Sequence, residues 1–125
     1  MLNTLGLKYT DDHEWVMLEG NIARMGVTDY AQKQLGDIVF VEEVAKAGSK
    51  VEQGEPIATV ESVKAVTEVY APVSGTIKEF NATLDGEPEM INEDPHGDGW
   101  IYAIEVADRA EYDKLHDEEP GTGEE

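Results

Sequence analysis

No cysteine occurs in the 125 residues. That excludes a disulfide framework, a thiol nucleophile and a thiolate metal site. Basic residues are scarce, nine Lys and Arg against 28 Asp and Glu, for a formal net charge of −19. The acids are not confined to one end: residues 108–125 carry eight acids and two bases, which leaves −13 on residues 1–107. Such a balance argues against nucleic acid or an anionic membrane as a partner. No apolar run approaches membrane-spanning length. The start, Met1-Leu2-Asn3-Thr4-Leu5, lacks a basic region followed by an apolar core, so the expectation is a soluble cytoplasmic chain without a secretory signal. Potential metal ligands are sparse. His13-Glu14 is a lone pair, and Asp94, His96 and Asp98 share a stretch with Pro95 and Gly97 that has no tetrahedral spacing, so no metal site is expected. Thr28 and Ser62 have no His positioned beside them in sequence, which leaves a nucleophilic triad without support.

What the sequence does have is a central pair of extended runs. Ile57-Ala58-Thr59-Val60 and Ala65-Val66-Thr67-Glu68-Val69-Tyr70 are rich in β-branched residues and bounded by Gly54 and Pro56 on one side and Pro72, Ser74 and Gly75 on the other. They read as two strands. The link, Glu61-Ser62-Val63-Lys64-Ala65, holds no glycine. A tight primed turn requires positive φ, which would strain Val63, so a type I or slightly wider turn is expected, with the Lys64 ammonium extended into water. Taken alone, such a lysine reads most simply as an ordinary solvated side chain.

The rest of the chain, long enough for one domain with a real core, falls into short elements. Tyr9 to Met25 reads as a hairpin around a three-residue connection, Glu19-Gly20-Asn21. Thr28 is placed to cap a short helix from Tyr30 to Leu35 that Gly36 stops. Asp37 to Val44 is a strand whose near-continuous Ile38-Val39-Phe40-Val41 predicts burial. Gly48 and Gly54 mark turns. Gly75 to Phe80 is a further strand, Asn81 to Pro95 is loop-rich, and Trp100 to Val106 closes the sheet. Asp108 with Glu111 has the spacing of a capping box, opening a last helix to about His116. The acidic, Gly- and Pro-bearing segment that follows predicts disorder over residues 118–125, after one domain over residues 1–117.

Two stretches echo one another. Gly36-Asp37-Ile38-Val39-Phe40-Val41 leads to Val51 and Gly54-Glu55-Pro56-Ile57, while Gly75-Thr76-Ile77-Lys78-Glu79-Phe80 leads to Leu84 and Gly86-Glu87-Pro88-Glu89-Met90. Each copy is a strand, a turn, an apolar residue and a Gly-Glu-Pro entry to the next strand. Two copies joined through the Lys64 hairpin imply two sheets related by an approximate two-fold, with Lys64 at one pole of a small flattened barrel.

These residues also carry a family likeness. Gly26-Val27-Thr28-Asp29-Tyr30-Ala31, Leu35-Gly36-Asp37-Ile38-Val39, Glu61-Ser62-Val63-Lys64-Ala65, Pro72-Val73-Ser74-Gly75, Asn81, Leu84 and Gly99-Trp100 occur in this order. From about Leu7 to Val106 the chain resembles the H proteins of the glycine cleavage system. One departure is Val44-Ala45-Lys46-Ala47-Gly48, where the family usually has Leu-Pro before its turn glycine.

The resemblance implies a mainly β fold, a barrel-sandwich hybrid of lipoyl or biotinyl type, here with an N-terminal hairpin, one short helix and a C-terminal helix. It implies a monomeric, non-enzymatic carrier with lipoic acid joined by an amide to Lys64. The arm would take an aminomethyl group at a pyridoxal-phosphate glycine decarboxylase and pass its carbon and ammonia on at a tetrahydrofolate-dependent aminomethyltransferase. A flavin dihydrolipoamide dehydrogenase would reoxidise it. Glu14 and Glu68 match positions that hold the loaded arm against the carrier, and Glu61 and Gly48 match positions that help the lipoate-attaching enzyme find its lysine. All four also read as ordinary surface acids or a turn glycine. Two alternatives stand beside this. One is an H-like protein relaying lipoyl groups to other complexes. The other is a lipoyl or biotinyl domain of a dehydrogenase or carboxylase, although biotinyl domains flank the lysine with methionines rather than Val63 and Ala65.

The acidity carries its own expectation, adaptation to high salt, the alternative being acidity that serves solubility alone. Like charges crowd within about one Debye length, roughly 8–10 Å at ordinary ionic strength and about 3 Å at molar salt. The melting temperature is therefore expected to climb from low to molar KCl by more than for a near-neutral carrier of the same fold. A thermal unfolding series at pH 7 measures it, and a flat or falling series would remove the high-salt reading.

Overall fold

The structure, a computed structural model, describes residues 7–121. The chain opens with strands β1 (Lys8–Tyr9), β2 (Glu14–Glu19) and β3 (Ile22–Val27), then helix α1 (Asp29–Leu35). Strands β4 (Ile38–Glu43), β5 (Lys50–Val51), β6 (Pro56–Ser62), β7 (Val66–Tyr70) and β8 (Gly75–Phe80) follow. Two helical turns, α2 (Thr83–Gly86) and α3 (Met90–Glu93), precede β9 (Tyr102–Val106) and α4 (Arg109–Asp113). The strands form two antiparallel sheets that do not close on one another: a six-stranded one, β1-β2-β3-β9-β8-β5, and a three-stranded one, β4-β6-β7. None of the described helices is long and apolar enough to cross a membrane.

Alternation along the strands builds the core. Val16, Met25, Ile77 and Ile104 of the large sheet are buried in one cluster with Val41, Ile57, Val60 and Val69 of the small one. Fully burying an aliphatic side chain of this size contributes about 1.5–3 kcal/mol. Tyr102 on β9 adds a polar tie, its hydroxyl shared between the carbonyls of Ala45 at 2.8 Å and Ile57 at 2.7 Å. Burial pushes that phenol well above its ordinary range, so it stays a donor. The opposite residues of β1 and β2 cover a second cluster, Leu7, Tyr9 and Trp15, against which Trp100 packs; Trp15 Nε1 donates to Pro95 O at 2.7 Å.

Several local expectations give way. The β2–β3 connection has two residues rather than three, because Glu19 pairs with Ile22 and Gly20 takes φ 63°. Val39 and Phe40 are exposed at 49% and 52%: a bulge between Ile38 and Phe40 interrupts the alternation and turns both outward. Each echoed strand does open in a different sheet, β4 in the small one and β8 in the large one. The second Gly-Glu-Pro, however, leads into α3 and not into a strand, and the stretch expected to be loop contains both helical turns. Asp108 does cap α4, accepting from Ala110 N at 3.0 Å. Glu111 does not return the bond: its carboxylate reaches across to the Ser74 N–H at 2.7 Å and hydroxyl at 3.1 Å. That helix also ends at Asp113, short of His116.

Within the segment expected to be disordered, Glu119 makes defined contacts, as do the two residues just before that segment. His116 pairs its backbone with Tyr9 at 2.8 and 2.9 Å, Asp117 accepts from Lys8 Nζ at 2.6 Å, and Glu119 bonds His13 and Thr28. Composition gives no sign of these contacts, because each is made with the other end of the chain. Residues 122–125 of the expected tail lie outside the described ones.

Candidate functional site

The turn between β6 and β7 is closed by a side chain. Ser62, almost wholly buried, accepts from Lys64 N at 3.2 Å and Ala65 N at 3.1 Å, while its own N–H donates to Ala65 O at 2.8 Å. A serine hydroxyl can replace a backbone carbonyl in this way, which spares Val63 and Lys64 the positive φ of a primed turn. Val63 N donates to Asp37 O at 3.0 Å, binding the turn to the start of β4. Lys64 is exposed, with no carboxylate in ion-pair range among the described residues. Its stem passes Gly36, where a Cβ would stand 3.5 Å from Lys64 Cε. Gly36 at φ 84° ends α1.

Beneath this helix end lies a cavity of about 180 Å³, with Leu35 and Tyr30 of α1 on one wall, His13 and Glu14 on another, and Thr67, Glu68 and Val69 of β7 on a third. Two of the acids singled out in the sequence thus share one cavity. Glu14 is 2% exposed and accepts from Tyr70 N at 2.8 Å and the Thr10 hydroxyl at 3.0 Å. Burial outweighs those two bonds and pushes its pKa up to about 8, which favours the neutral acid at pH 7. Glu68 is exposed and accepts from the Tyr70 hydroxyl at 3.2 Å, a bond that raises the phenol's pKa. Tyr70 therefore joins the two acids, one through its backbone and one through its ring, a role that nothing in a strand-like run discloses. A second cavity, of about 310 Å³, also reaches Asp12 and Glu14.

The other two singled-out residues lie apart from this cavity. Glu61 is exposed at the end of β6, paired with Phe40 on one side and Val66 on the other. With Val63 and Val66, 68% and 65% exposed, it borders the lysine. Gly48, at φ 92°, sits in the turn before β5, its N–H donating to Ile77 O at 2.8 Å and nothing within 4 Å of where its Cβ would be. The residues weighed as metal ligands are engaged locally: His96 Nε2 accepts from Asp29 N at 3.0 Å, and Asp94 Oδ2 from Asp98 N at 2.9 Å. Burial lowers the His96 pKa, in keeping with an imidazole that accepts. Sequence reasoning missed Asn92 altogether. It accepts from Ile38 N and donates to Gln32 Oε1 and Gly36 O, each at 2.8–2.9 Å, and so fixes the α1–β4 junction on which Lys64 rests.

Two stacked sheets with a lysine presented at a glycine-free hairpin tip define the class of lipoyl-type barrel-sandwich carriers. Within that class, the Glycine cleavage H-protein family matches residues 7–122, and the chain belongs to that family. It is 50% identical over 112 residues to the glycine cleavage system H protein of Thermotoga maritima, covering 90% of each chain. A probable glycine cleavage system H protein of Haloarcula marismortui is also 50% identical, over 109 residues, covering 87% of this chain and 85% of the relative. In structure the chain is similar to the crystal structure of a glycine cleavage system H protein from Mycobacterium marinum. The TM-score is 0.76 at 38% identity, over 82% of this chain and 84% of that one. The chain is a lipoyl carrier of glycine cleavage.

Proposed function

We propose that Lys64 is the attachment point of the lipoyl group and that the cavity walled by Glu14 and Glu68 shelters the loaded arm. The observation that carries this is the Lys64 ammonium, unpaired among the described residues, at a braced tip beside a helix end whose neighbouring residue lines an acid-bearing cavity. The residues fit the group: an exposed primary amine can form the amide, and a cavity with apolar and acidic walls suits a chain that ends in an amine. When bound, lipoate supplies a dithiolane whose sulfurs accept a carbon substituent and two electrons.

The protein's own residues then have definite tasks. Lys64 tethers. Glu14 remains protonated while the cavity is empty and gives up its proton when a cation arrives, since a nearby positive charge favours the ionised carboxylate. Glu68, exposed at the mouth, presents a charge that needs no desolvation. Glu61 and Gly48 serve recognition by the lipoate-attaching enzyme, Glu61 from beside the tip and Gly48 from the turn before β5. The carrier acts as co-substrate of a pyridoxal-phosphate decarboxylase, a tetrahydrofolate-dependent transferase and a dihydrolipoamide dehydrogenase. It works as a monomer in the cytoplasm, and its charge disfavours nucleic acid and anionic membranes.

Intact-mass analysis of protein taken from its native cells, followed by peptide mapping, tests the attachment. One lipoyl amide on Lys64 is the expected result. An unmodified mass, or an adduct on another lysine, would overturn the assignment.

A further inference from the structure

The walls of the cavity that holds Glu14 and Glu68 come from separate parts of the chain, the β1–β2 turn through His13 and Glu14 and helix α1 through Tyr30 and Leu35. A single carboxylate oxygen from the C-terminal segment bonds both parts. Glu119 Oε2 stands 2.7 Å from His13 Nδ1 and 2.6 Å from the Thr28 hydroxyl. Because a carboxylate only accepts, the His13 proton lies on Nδ1 and both partners donate. Thr28 is fully buried and is the N-cap of α1, accepting from Ala31 N at 3.0 Å, so its hydroxyl is used in both directions. The Glu119 and His13 side chains are only 15% and 25% exposed, unlike the open surface pairs elsewhere in the chain.

His13 needs holding. It is the only non-glycine residue of the described chain with positive φ, at 63°, a left-handed conformation that costs about 1–3 kcal/mol outside glycine. Its ring lies 4.8 Å from that of Tyr30 across the cavity wall. The backbone bond from Thr28 N to His13 O, at 3.0 Å, fixes the main chain but leaves the imidazole free to turn. Residues 116 and 117 are themselves anchored, through the Tyr9–His116 backbone pair and the Lys8–Asp117 pair at 2.6 Å, so Glu119 arrives from a fixed direction.

We infer that Glu119 is a positioning residue of the arm cavity: by bonding His13 and Thr28 through one oxygen, it locks the imidazole against Tyr30 and sets the shape of the cavity that shelters the loaded arm. This rests on the sheltering role proposed above for that cavity. The inference separates positioning from charge, because the amide oxygen of a glutamine can accept the same two bonds whereas alanine can accept neither.

Two readouts test it. In the unmodified chain, nuclear Overhauser contacts between the His13 and Tyr30 rings are expected in the parent and in Glu119→Gln, and lost in Glu119→Ala. In the lipoylated, amine-loaded carrier, water cleaves the carbon–sulfur bond to give thiol, formaldehyde and ammonium, and ammonium release is followed without the acceptor enzyme. Release is expected to be about tenfold faster in Glu119→Ala, the worth of one charge-assisted bond, and close to the parent rate in Glu119→Gln. Ring contacts that persist in Glu119→Ala, or equal release from Glu119→Ala and the parent, would overturn the inference. So would Glu119→Gln behaving like Glu119→Ala, which would make the effect one of charge. Parent carrier that releases ammonium as fast as a free lipoamide bearing the same load would instead sink the sheltering role itself.

Discussion

The Lys64→Arg chain is expected to fold as the parent does and to support no glycine decarboxylation at all. Arginine keeps the charge, and its stem passes over Gly36, where the approach leaves room for methylenes. The turn depends on Ser62 and on backbone groups of Lys64 and Ala65, which the substitution leaves unchanged. Stability should therefore stay within about 0.5 kcal/mol, as for most surface replacements. A guanidinium is not acylated by a lipoate-attaching enzyme, and a carrier without its arm has nothing to carry. The measurement is the reconstituted reaction with free lipoate removed, beside thermal unfolding of both chains. Residual turnover by the folded variant would mean that the group is attached elsewhere.

The second large effect concerns Glu14 and pH. Its carboxyl titrates near pH 8 in the folded chain against an ordinary value of 4.5. Between those values the folded state holds a proton that the unfolded state has released, so stability falls as pH rises through this window and stays low above it. Converted directly, the penalty at pH 9 is about 5 kcal/mol at most, and relaxation around a buried group lowers it. Glutamine at this position keeps an acceptor for Tyr70 N and offers an amide donor to the Thr10 hydroxyl, with no proton to lose. Glu14→Gln should therefore match the parent near pH 5 and exceed it by several kcal/mol at pH 9. Denaturant unfolding from pH 5 to 9 measures the gap, and stability curves that run parallel would show that Glu14 is already ionised at neutral pH.

What could be read from the sequence, and what could not, follows from the range of each interaction. The β6–β7 hairpin was legible because its β-branched runs are local and its link has no glycine; the turn that accommodates this is closed by Ser62 two residues away from Lys64. The α1 cap at Thr28 and stop at Gly36 were legible for the same reason. Burial at Val39 and Phe40 was misread because one displaced residue in β4 breaks the alternation and leaves no compositional mark. Glu111 has capping-box spacing, but spacing cannot show that Ser74 offers it two better donors. Glu14 was found by its position in a motif, whereas its neutrality depends on how deeply β2 and β7 bury it. Glu119 was lost in an acidic run because its partners lie 91 and 106 residues earlier.

The bracing of the β6–β7 tip by Ser62 has a consequence for how cargo is searched for. With the Lys64 backbone bonded to Ser62 and its neighbour Val63 bonded to Asp37, the pivot of an arm attached at Lys64, as proposed above, is a fixed point, and all its freedom lies in the methylenes beyond. The positions its end can visit lie within a sphere centred on that fixed point, smaller than the region that a wobbling, glycine-bearing tip would sweep. Encounter frequency rises as that volume shrinks, so a partner docked beside the small sheet meets the cargo more often. The same stiffness makes reach a hard limit. A catalytic centre set deeper than one extended side chain stays out of bounds, so no partner can bury its centre beyond that depth from its own surface.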